Sequence, residues 1–425
     1  MKIAMITHSA FPDFIGGREH HIHLLAKGLA RQGGDQISVF TGAQRGTKVT
    51  RQDMPEGYAL VRVPGMRLML SRNPRQIYHI APKLIGALRR ERVDVVHLFE
   101  YGSFMTTAAG VYAIRNRLPF VQTVYGYELP HWWLRVAKRA FDRSVGAYIV
   151  RRAAKIICVS AVQREEMLAI GGGSVRDATV VRINGIDTTA GDAADASGPG
   201  EGRIPAQGET RFLPRAVNVL IAARLEPRKG VTVLLSAFKQ VLDSLPEKNA
   251  CLYLVGPDRG EQRAIEQRIE QLAVGAHVRL LGAVAPNAMN TLLKKMDIVV
   301  VPSLYEGMPL IVLEAMSCGK PVIASRLAGV SKVITSGVNG ILVSPGDSGE
   351  LCDALRQLIM NPARGTTLGN AARQTAAAYD IRREITWLRE DVYAPAGERA
   401  RLAQKVKKTP PMMQDGNPHA IQNTI

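Results

Sequence analysis

One stretch, Asp297 to Ser325, leaves this chain few choices of fold. Ile298–Val301 is a short, unbroken β-branched run, the pattern of a strand buried on both faces of a parallel sheet. Pro302 stops it, and Ser303–Met308 reads as a loop. Pro309 suits the first helical position, and the helix then runs to Gly319 as its C-cap. Lys320–Ser325 opens the next strand. A strand–loop–helix–strand unit holds its loop at the carboxyl end of a strand, where open α/β sheets bind ligands.

That loop carries a specific chemistry. The amides of Gly307 and Met308 are expected at a helix N-terminus, where they can face a phosphate. Glu306 lies in the loop and Glu314 about one turn into the helix. Carboxylates repel phosphate but accept hydrogen bonds well from sugar hydroxyls. Phosphate at the helix end and diols on the carboxylates together describe a nucleotide sugar.

Strand patterns recur along the chain with helices between them. They fall at Lys2–Ile6, Gln36–Phe40, Ala59–Val63, Val93–His97, Phe120–Val124, Lys155–Val159 and Thr179–Arg182, then at Val217–Ala222, Cys251–Val255 and Val278–Leu281. Such alternation predicts doubly wound parallel sheets, and 425 residues are too many for one ordinary core. Two domains are expected, over 1–186 and 216–378, joined by a Gly/Ala/Asp/Pro-rich linker over 187–215. A basic, pattern-free tail over 396–425 reads as disordered. The first strand gives way at once to Thr7-His8-Ser9, unlike a signal peptide. No apolar run approaches the ~20 residues that span a bilayer. The four cysteines are far apart and read as reduced core thiols of a cytoplasmic protein.

In the second half, Arg224 follows a strand directly and Lys229 precedes a helix. Two cations so placed suit a diphosphate, Arg as a fork and Lys as a compact charge. Near the start, Gly16-Gly17 lies between a strand and a helix and permits close backbone approach to a ligand. It is not Gly-x-Gly-x-x-Gly, which argues against a dinucleotide. His20, His21 and His23 do not share a helix face at i, i+4 spacing, so no metal is expected there.

The two glutamates eight positions apart, Gly307-Met308-Pro309-Leu310 after the first and Glu314-Ala-Met-Ser-Cys-Gly-Lys-Pro-Val after it, resemble the signature of family-4 retaining glycosyltransferases. The resemblance implies the GT-B fold, in which two Rossmann-like domains face a cleft and a last helix, here 379–393, crosses back to the first domain. It implies that Arg224 and Lys229 clamp the donor pyrophosphate, that Gly16 and Gly17 pack near donor and acceptor, and that Glu306 and Glu314 hold sugar and ribose. Asn184-Gly185-Ile186-Asp187 resembles the family's hinge, and Ala328-Gly329-Val330 its Gly-Gly loop, with Lys332 where a Glu is common. Tyr125 stands where relatives carry a His that contacts the donor sugar. Tyrosine keeps a hydrogen bond but is a weak proton carrier at neutral pH, so Glu128 and His131 become acceptor-side candidates.

Charge bears on the acceptor. The net charge is +18, and residues 1–186 hold 27 Lys/Arg against 13 Asp/Glu, +14 of that total. Such a field favours an anionic partner. From His131 to Arg152, apolar residues (Trp133, Val136, Ala137, Ala140, Phe141, Val145, Tyr148, Ile149) recur at helical spacing beside Arg135, Lys138, Arg139 and Arg143, headed by Trp132. The stripe itself reads first as a helix docked on the sheet. Its basic flank and tryptophans suit anionic headgroups, which favours a lipid, lipid-linked or cell-surface glycan acceptor. No zinc spacing or aromatic-interleaved basic platform points to nucleic acid.

The expectation is transfer of a sugar from a nucleoside diphosphate sugar to such an acceptor. The donor half has no Asp-x-Asp, so no metal or other cofactor is expected. Three rivals stand beside it: a hydrolase using Glu306 and Glu314, a GT-B nucleotide-sugar epimerase, and a non-catalytic membrane or nucleic-acid binder. The first is disfavoured because a loop and a helix position rarely flank one bond at ~5–9 Å.

Overall fold

The computed structural model describes residues 1–14, 16–43, 46–69, 77–125, 132–191, 216–245 and 250–398. In the first half, strands β1 (Lys2–Ile6), β2 (Gln36–Gly42), β3 (Thr50–Asp53), β4 (Ala59–Val63), β5 (Met66–Met69), β6 (Ile77–Ile80), β7 (Val95–Phe99), β8 (Phe120–Val124), β9 (Lys155–Cys158) and β10 (Thr179–Val181) appear in order. Eight of them form one sheet in the order 10-9-8-7-1-2-4-3, parallel except for the β3–β4 pair at its edge. Strands β5 and β6 form a separate antiparallel ribbon. The second half has β11 (Val217–Ala222), β12 (Ala250–Val255), β13 (Val278–Gly282), β14 (Ile298–Val301), β15 (Val322–Ser325) and β16 (Ile341–Val343), a wholly parallel sheet in the order 13-12-11-14-15-16. These are two Rossmann-like, doubly wound domains.

Central strands are buried on both faces because their sequences never alternate: Ile3, Ala4, Met5 and Ile6 are inaccessible to solvent, as are Val299 and Val300. In each sheet the strand order reverses once, between β1 and β7 and between β11 and β14. Ligands of doubly wound sheets bind outside the carboxyl ends of the strands at such a reversal. The segments at the carboxyl ends of β1, β7, β11 and β14 are therefore the expected walls of a binding site.

The crossing helix is present. Ile381–Trp387 continues as a wider π-turn over Leu388–Tyr393, and Ile381, Ile385, Leu388, Val392 and Tyr393 join the core of the first sheet beside Leu25 and Ile37. The segment expected as the hinge is held to it, since Ile186 N–H donates to Tyr379 O at 2.9 Å and Ile381 N–H to Ile186 O at 2.8 Å.

Several expectations change. Strand β7 lies two residues later than its apolar pattern suggested, and β3, whose residues are all exposed, has no pattern to read. Pro309 is the N-cap (ψ 122°), not the first helical residue, and the helix spans Leu310–Ser317. Gly307 and Met308 therefore precede it. The 132–150 stripe does not dock as one face. A π-turn over Asp142–Gly146 joins helices Trp132–Phe141 and Ala147–Val150, and the wider turn rotates everything beyond it, so one 3.6-residue period cannot run through. Ile149 and Val150 are buried, whereas Val136 is 55% exposed and Ala137, Ala140, Val145 and Tyr148 are also exposed. The side chains of Trp132 and Trp133 lie outside the described residues. Thr188–Gly191, expected as linker, forms a short 3-10 turn tied by Thr188 to Asp380. Described structure continues to Glu398, with Ala396 buried, past the expected start of the tail at 396.

Candidate active site

The second-domain wall is built from the loops after β11 and β14. Lys229, 6% exposed, ends a 3-10 turn over Pro227–Lys229. Its ammonium pairs with the Glu306 carboxylate, which also accepts from Ser303 Oγ at 2.9 Å. Burial lowers the Lys229 pKa, and Glu306 works against that. Arg224 reaches Glu226 at 3.4 Å, and Arg228 donates to the same carboxylate oxygen at 2.6 Å. The Glu226 side chain is 1% exposed and its pKa is lowered: burial opposes ionisation, but Arg224 and Arg228 prevail. A bond from Leu304 N–H to Arg228 O, 2.7 Å, ties the two loops together. Arg224, with its side chain 38% exposed, remains open to a ligand.

The backbone ahead of the helix is the most telling part. No described hydrogen bond uses the amides of Gly307, Met308, Leu310 or Ile311; the first amide engaged is Val312 N–H, to Pro309 O at 3.1 Å. Four donors beside a buried lysine form an anion cradle. Its shape is held from behind, because a Cβ on Gly329 would lie 1.7 Å from Gly307 O. Only glycine permits that approach. Glu314, one turn into the helix, makes no side-chain hydrogen bond or ion pair to another described residue. Burial raises its pKa to about 7. Pro309 and Leu310 shape the loop; Leu310 is 7% exposed.

The opposing wall comes from the first domain. A Cβ on Gly17 would lie 3.6 Å from Leu310 Cδ1, and one on Gly307 would lie 3.6 Å from Val159 Cγ2. The two domains therefore meet at the loop after β14. Gly16 is the N-cap of helix Gly17–Gly33. Behind it lies a cluster that sequence reading missed. His8 pairs with Glu100, Thr7 Oγ1 donates to Glu100 at 3.0 Å, and Arg18 bridges Glu100 at 3.1 Å and Glu19 at 2.6 Å. Ser9 Oγ donates to Glu19 at 2.6 Å. Burial alone would raise the Glu19 pKa, but Arg18 and Ser9 hold it at about 2. Glu100 follows β7 with φ 100°, a strained value for a residue with a side chain. Its place at the carboxyl end of the strand beside the reversal was the available signal.

Tyr125 follows β8 and is partly exposed. Its hydroxyl lies 3.2 Å from His21 Nδ1, and His21 Nε2 lies 3.0 Å from Glu384 of the crossing helix. His23 instead meets the Tyr58 hydroxyl at 2.9 Å, so the histidine trio does not converge. Among the described residues no group of His, Cys, Asp and Glu has metal-binding geometry. Glu128 and His131 lie outside the described residues.

The structure thus joins Lys229 with Glu306 directly, brings Arg224 in through Glu226 and Arg228, and puts Gly17 against Leu310. It leaves Glu314 without a side-chain partner among the described residues and turns Tyr125 toward His21.

Comparisons with known proteins agree with this geometry. Residues 216–361 match the model described as glycosyl transferases group 1, and residues 15–190 match the model of glycosyltransferase family 4. The glycogen synthase of Mycobacterium tuberculosis (strain ATCC 25618 / H37Rv) is 26% identical over 391 residues, covering 88% of this chain and 90% of that protein. Sucrose-phosphate synthase from Thermosynechococcus elongatus superposes with a TM-score of 0.69 at 21% identity, covering 95% of this chain and 99% of that one. Anabaena Alr3699/HepE, in complex with UDP and glucose, gives 0.68 at 21%, covering 96% and 100%. The chain belongs to the family-4 glycosyltransferases of the GT-B fold, and it is a glycosyltransferase.

Proposed function

We propose that the protein transfers a sugar, with retention of anomeric configuration, from a nucleoside diphosphate sugar to a glycan acceptor carried on a lipid or at the cell surface. In this reading residues 216–378 hold the donor and residues 1–186, with the crossing helix, present the acceptor. The observation that carries it is the cradle itself: the amides of Gly307, Met308, Leu310 and Ile311, which no hydrogen bond among the described residues uses, next to Lys229. As the bond to the sugar breaks, charge grows on the departing diphosphate. Arg224, Lys229 and those amides stabilise it more in the transition state than in the substrate. Glu314 takes the ribose diol and Glu306 a sugar hydroxyl, so donor binding must loosen the Lys229–Glu306 pair. With two protein cations at the diphosphate, activity should not need a metal, and EDTA should leave it unchanged.

HepE was solved with UDP and with UDP-glucose, which makes UDP sugars the first donors to try. Membrane contact is part of the proposal. The exposed residues Val136, Val145 and Tyr148 stand among exposed Arg135, Arg139, Arg143 and Arg152, in a domain of charge +14. Such a surface suits anionic headgroups. No helix among the described residues is long and apolar enough to cross a membrane.

A thermal-shift screen of nucleotide sugars tests the donor, since a ligand of the folded state raises Tm. One nucleotide sugar should stabilise the wild type and not Arg224→Ala. Equal stabilisation of both would remove the reading. Incubating that donor without acceptor excludes the epimerase if its sugar is unchanged, and product anomers read by NMR decide retention.

A further inference from the structure

A cavity of ≈ 380 Å³ lies where the chain crosses between the domains. Sites for small molecules run from roughly 300 to 1,000 Å³. Three stretches wall it: Arg182 and Gly185 after β10, Tyr379, Asp380 and Glu384 at the start of the crossing helix, and Lys332 in the 3-10 turn after β15. The first stretch belongs to the first domain and the last to the second. Gly185 lets its segment pass close to the crossing helix, since a Cβ there would lie 2.8 Å from Ile381 Cα.

The charges in this cavity are segregated by depth. Asp380 and Glu384 form its floor, 7% and 5% exposed. Asp380 is largely occupied: Arg382 grips it as a fork at 2.8 and 2.7 Å, and the Thr188 hydroxyl donates to it. Glu384 Oε2 accepts the Gly185 amide at 2.6 Å and meets His21 Nε2 at 3.0 Å. The other oxygen, Oε1, has no partner among the described residues. The cations stand at the mouth, Lys332 exposed and Arg182 half-buried. Lys332 makes no hydrogen bond or ion pair to another described residue. Arg182 lies with Cζ 4.4 Å from the Trp387 ring centre and makes one long bond, 3.4 Å, to Arg383 O. Stacking on an aromatic face orients a guanidinium and leaves its edge donors available. The Tyr379 hydroxyl also has no partner among the described residues, and burial raises its pKa, so it acts as a phenol.

Such a cavity suits a ligand with two ends. Arg as a fork and Lys as a compact charge match a phosphate. A free carboxylate oxygen and a phenol beneath them match hydroxyls and would repel a second anion. We infer that this cavity is a ligand site separate from the donor cradle, taking a small phosphorylated polyol such as a sugar phosphate, its phosphate between Arg182 and Lys332 and its hydroxyls on Glu384 and Tyr379. The two cations come from different domains, so the occupant ties them in the arrangement where Gly17 meets Leu310 and Gly307 meets Val159. The ligand is therefore a regulator that favours the state in which both walls face the donor. That regulatory half rests on the transferase reading; the site itself does not.

Calorimetry on the full chain tests the site with glucose 6-phosphate, glucose 1-phosphate, glycerol 3-phosphate, inorganic phosphate and gluconate. At least one ester should bind wild type with a Kd below about 1 mM. The donor cradle also attracts phosphate, so each titration is repeated on Lys229→Ala, which should bind the ester as wild type does. Lys332→Glu and Arg182→Gln should each weaken it by about tenfold or more, and Tyr379→Phe by about threefold. Lys332 touches no described partner, so Lys332→Glu should fold normally, as circular dichroism will show. No ester binding in wild type would overturn the inference. So would binding that is lost in Lys229→Ala or kept in Lys332→Glu. Inorganic phosphate or gluconate binding as tightly as the best ester would overturn the two-ended ligand. The second measurement titrates UDP and GDP with the ester present and absent. The ester should tighten the nucleotide by about fivefold or more, and the nucleotide should tighten the ester by the same factor. Lys332→Glu should keep the wild-type nucleotide affinity measured without ester and lose the coupling. Absent coupling in wild type would refute the regulatory half. If neither nucleotide binds, the donor reading fails while the first measurement still decides the site.

Discussion

The two walls of the cleft carry similar residues in opposite states. On the first-domain side, Arg18, Glu19, Glu100 and His8 pair with one another, although Arg18 Nε is buried without a partner among the described residues. On the donor side, amides lack described partners, Arg224 is only partly engaged and Glu314 has no side-chain partner among the described residues. The contrast separates a wall whose charged side chains are paired with one another from a wall whose amides, Arg224 and Glu314 can reach a ligand. It also ranks what mutations should do.

The largest effect is expected where an unsatisfied wall loses charge. Lys229→Ala removes a cation from the diphosphate and leaves Glu306 without its partner. Losing one such stabilising group typically costs ~10²–10³ in kcat, and the stranded carboxylate adds to it. Transfer should fall by at least about a thousandfold, with nucleotide affinity falling too. On the scaffold side, Ser9→Ala removes one of several bonds to Glu19 and should change kcat/KM by less than about fivefold. Steady-state kinetics on both variants compares the walls directly; equal losses would erase the distinction.

Next comes the shape of the cradle. Gly329→Ala must push Gly307 O away, since the new Cβ would start 1.7 Å from it. The amides then lose their aim, and kcat/KM should drop roughly tenfold to a hundredfold. Circular dichroism should show the fold intact while calorimetry shows weaker nucleotide binding. Normal binding would mean the loop's form does not matter.

These features were unequally legible in the sequence. The strand over 298–301 and the Glu306 and Glu314 pair could be read because each depends on local pattern: an unbroken β-branched run, then fixed residues around a turn. Arg224 and Lys229 were legible from their places beside strand and helix ends. The pairing of Lys229 with Glu306 was not, because it joins loops after two different strands, 77 positions apart. His21 reads as one of three histidines on a helix; only the third dimension puts it between Tyr125 and Glu384, 363 positions from the latter. The stripe after Trp132 misled for a local reason. A π-turn carries no mark in hydrophobic periodicity, so the exposed and buried parts of 132–150 looked continuous.

Glu314 offers a pH test of intermediate size. Its pKa in the folded protein is raised to about 7 by burial, from an ordinary value of 4.5. Between those values the folded state holds a proton that the unfolded state has released, so stability is greatest at low pH and declines as pH rises through about 7. Nucleotide affinity should run the other way, because the ionised carboxylate is the better acceptor for the ribose diol. From pH 6 to 8, Kd should fall by roughly tenfold, while the ligand-free Tm drifts down by roughly a few degrees. Glu314→Gln should flatten both trends. A Kd indifferent to pH in wild type would detach Glu314 from the donor.

The smallest effect on the cleft itself, none, is expected from the exposed face over 132–152. Surface basic residues near an anionic membrane contribute about 1 kcal/mol each, and the attraction decays within a Debye length. Arg139→Glu with Arg143→Glu should therefore weaken binding to phosphatidylserine vesicles by about tenfold or more at low salt. Val136→Ser should weaken it without changing the salt slope, because apolar burial is not screened. None of the three touches the cleft, so nucleotide affinity should stay as in wild type. This outcome would sharpen the comparison of the walls, because a face that holds the protein at its acceptor need not take part in gripping the donor. If instead the wild type ignores such vesicles at low salt, the basic charge of the first domain serves another anionic acceptor, and Arg135, Arg139 and Arg143 become ordinary solvated arginines.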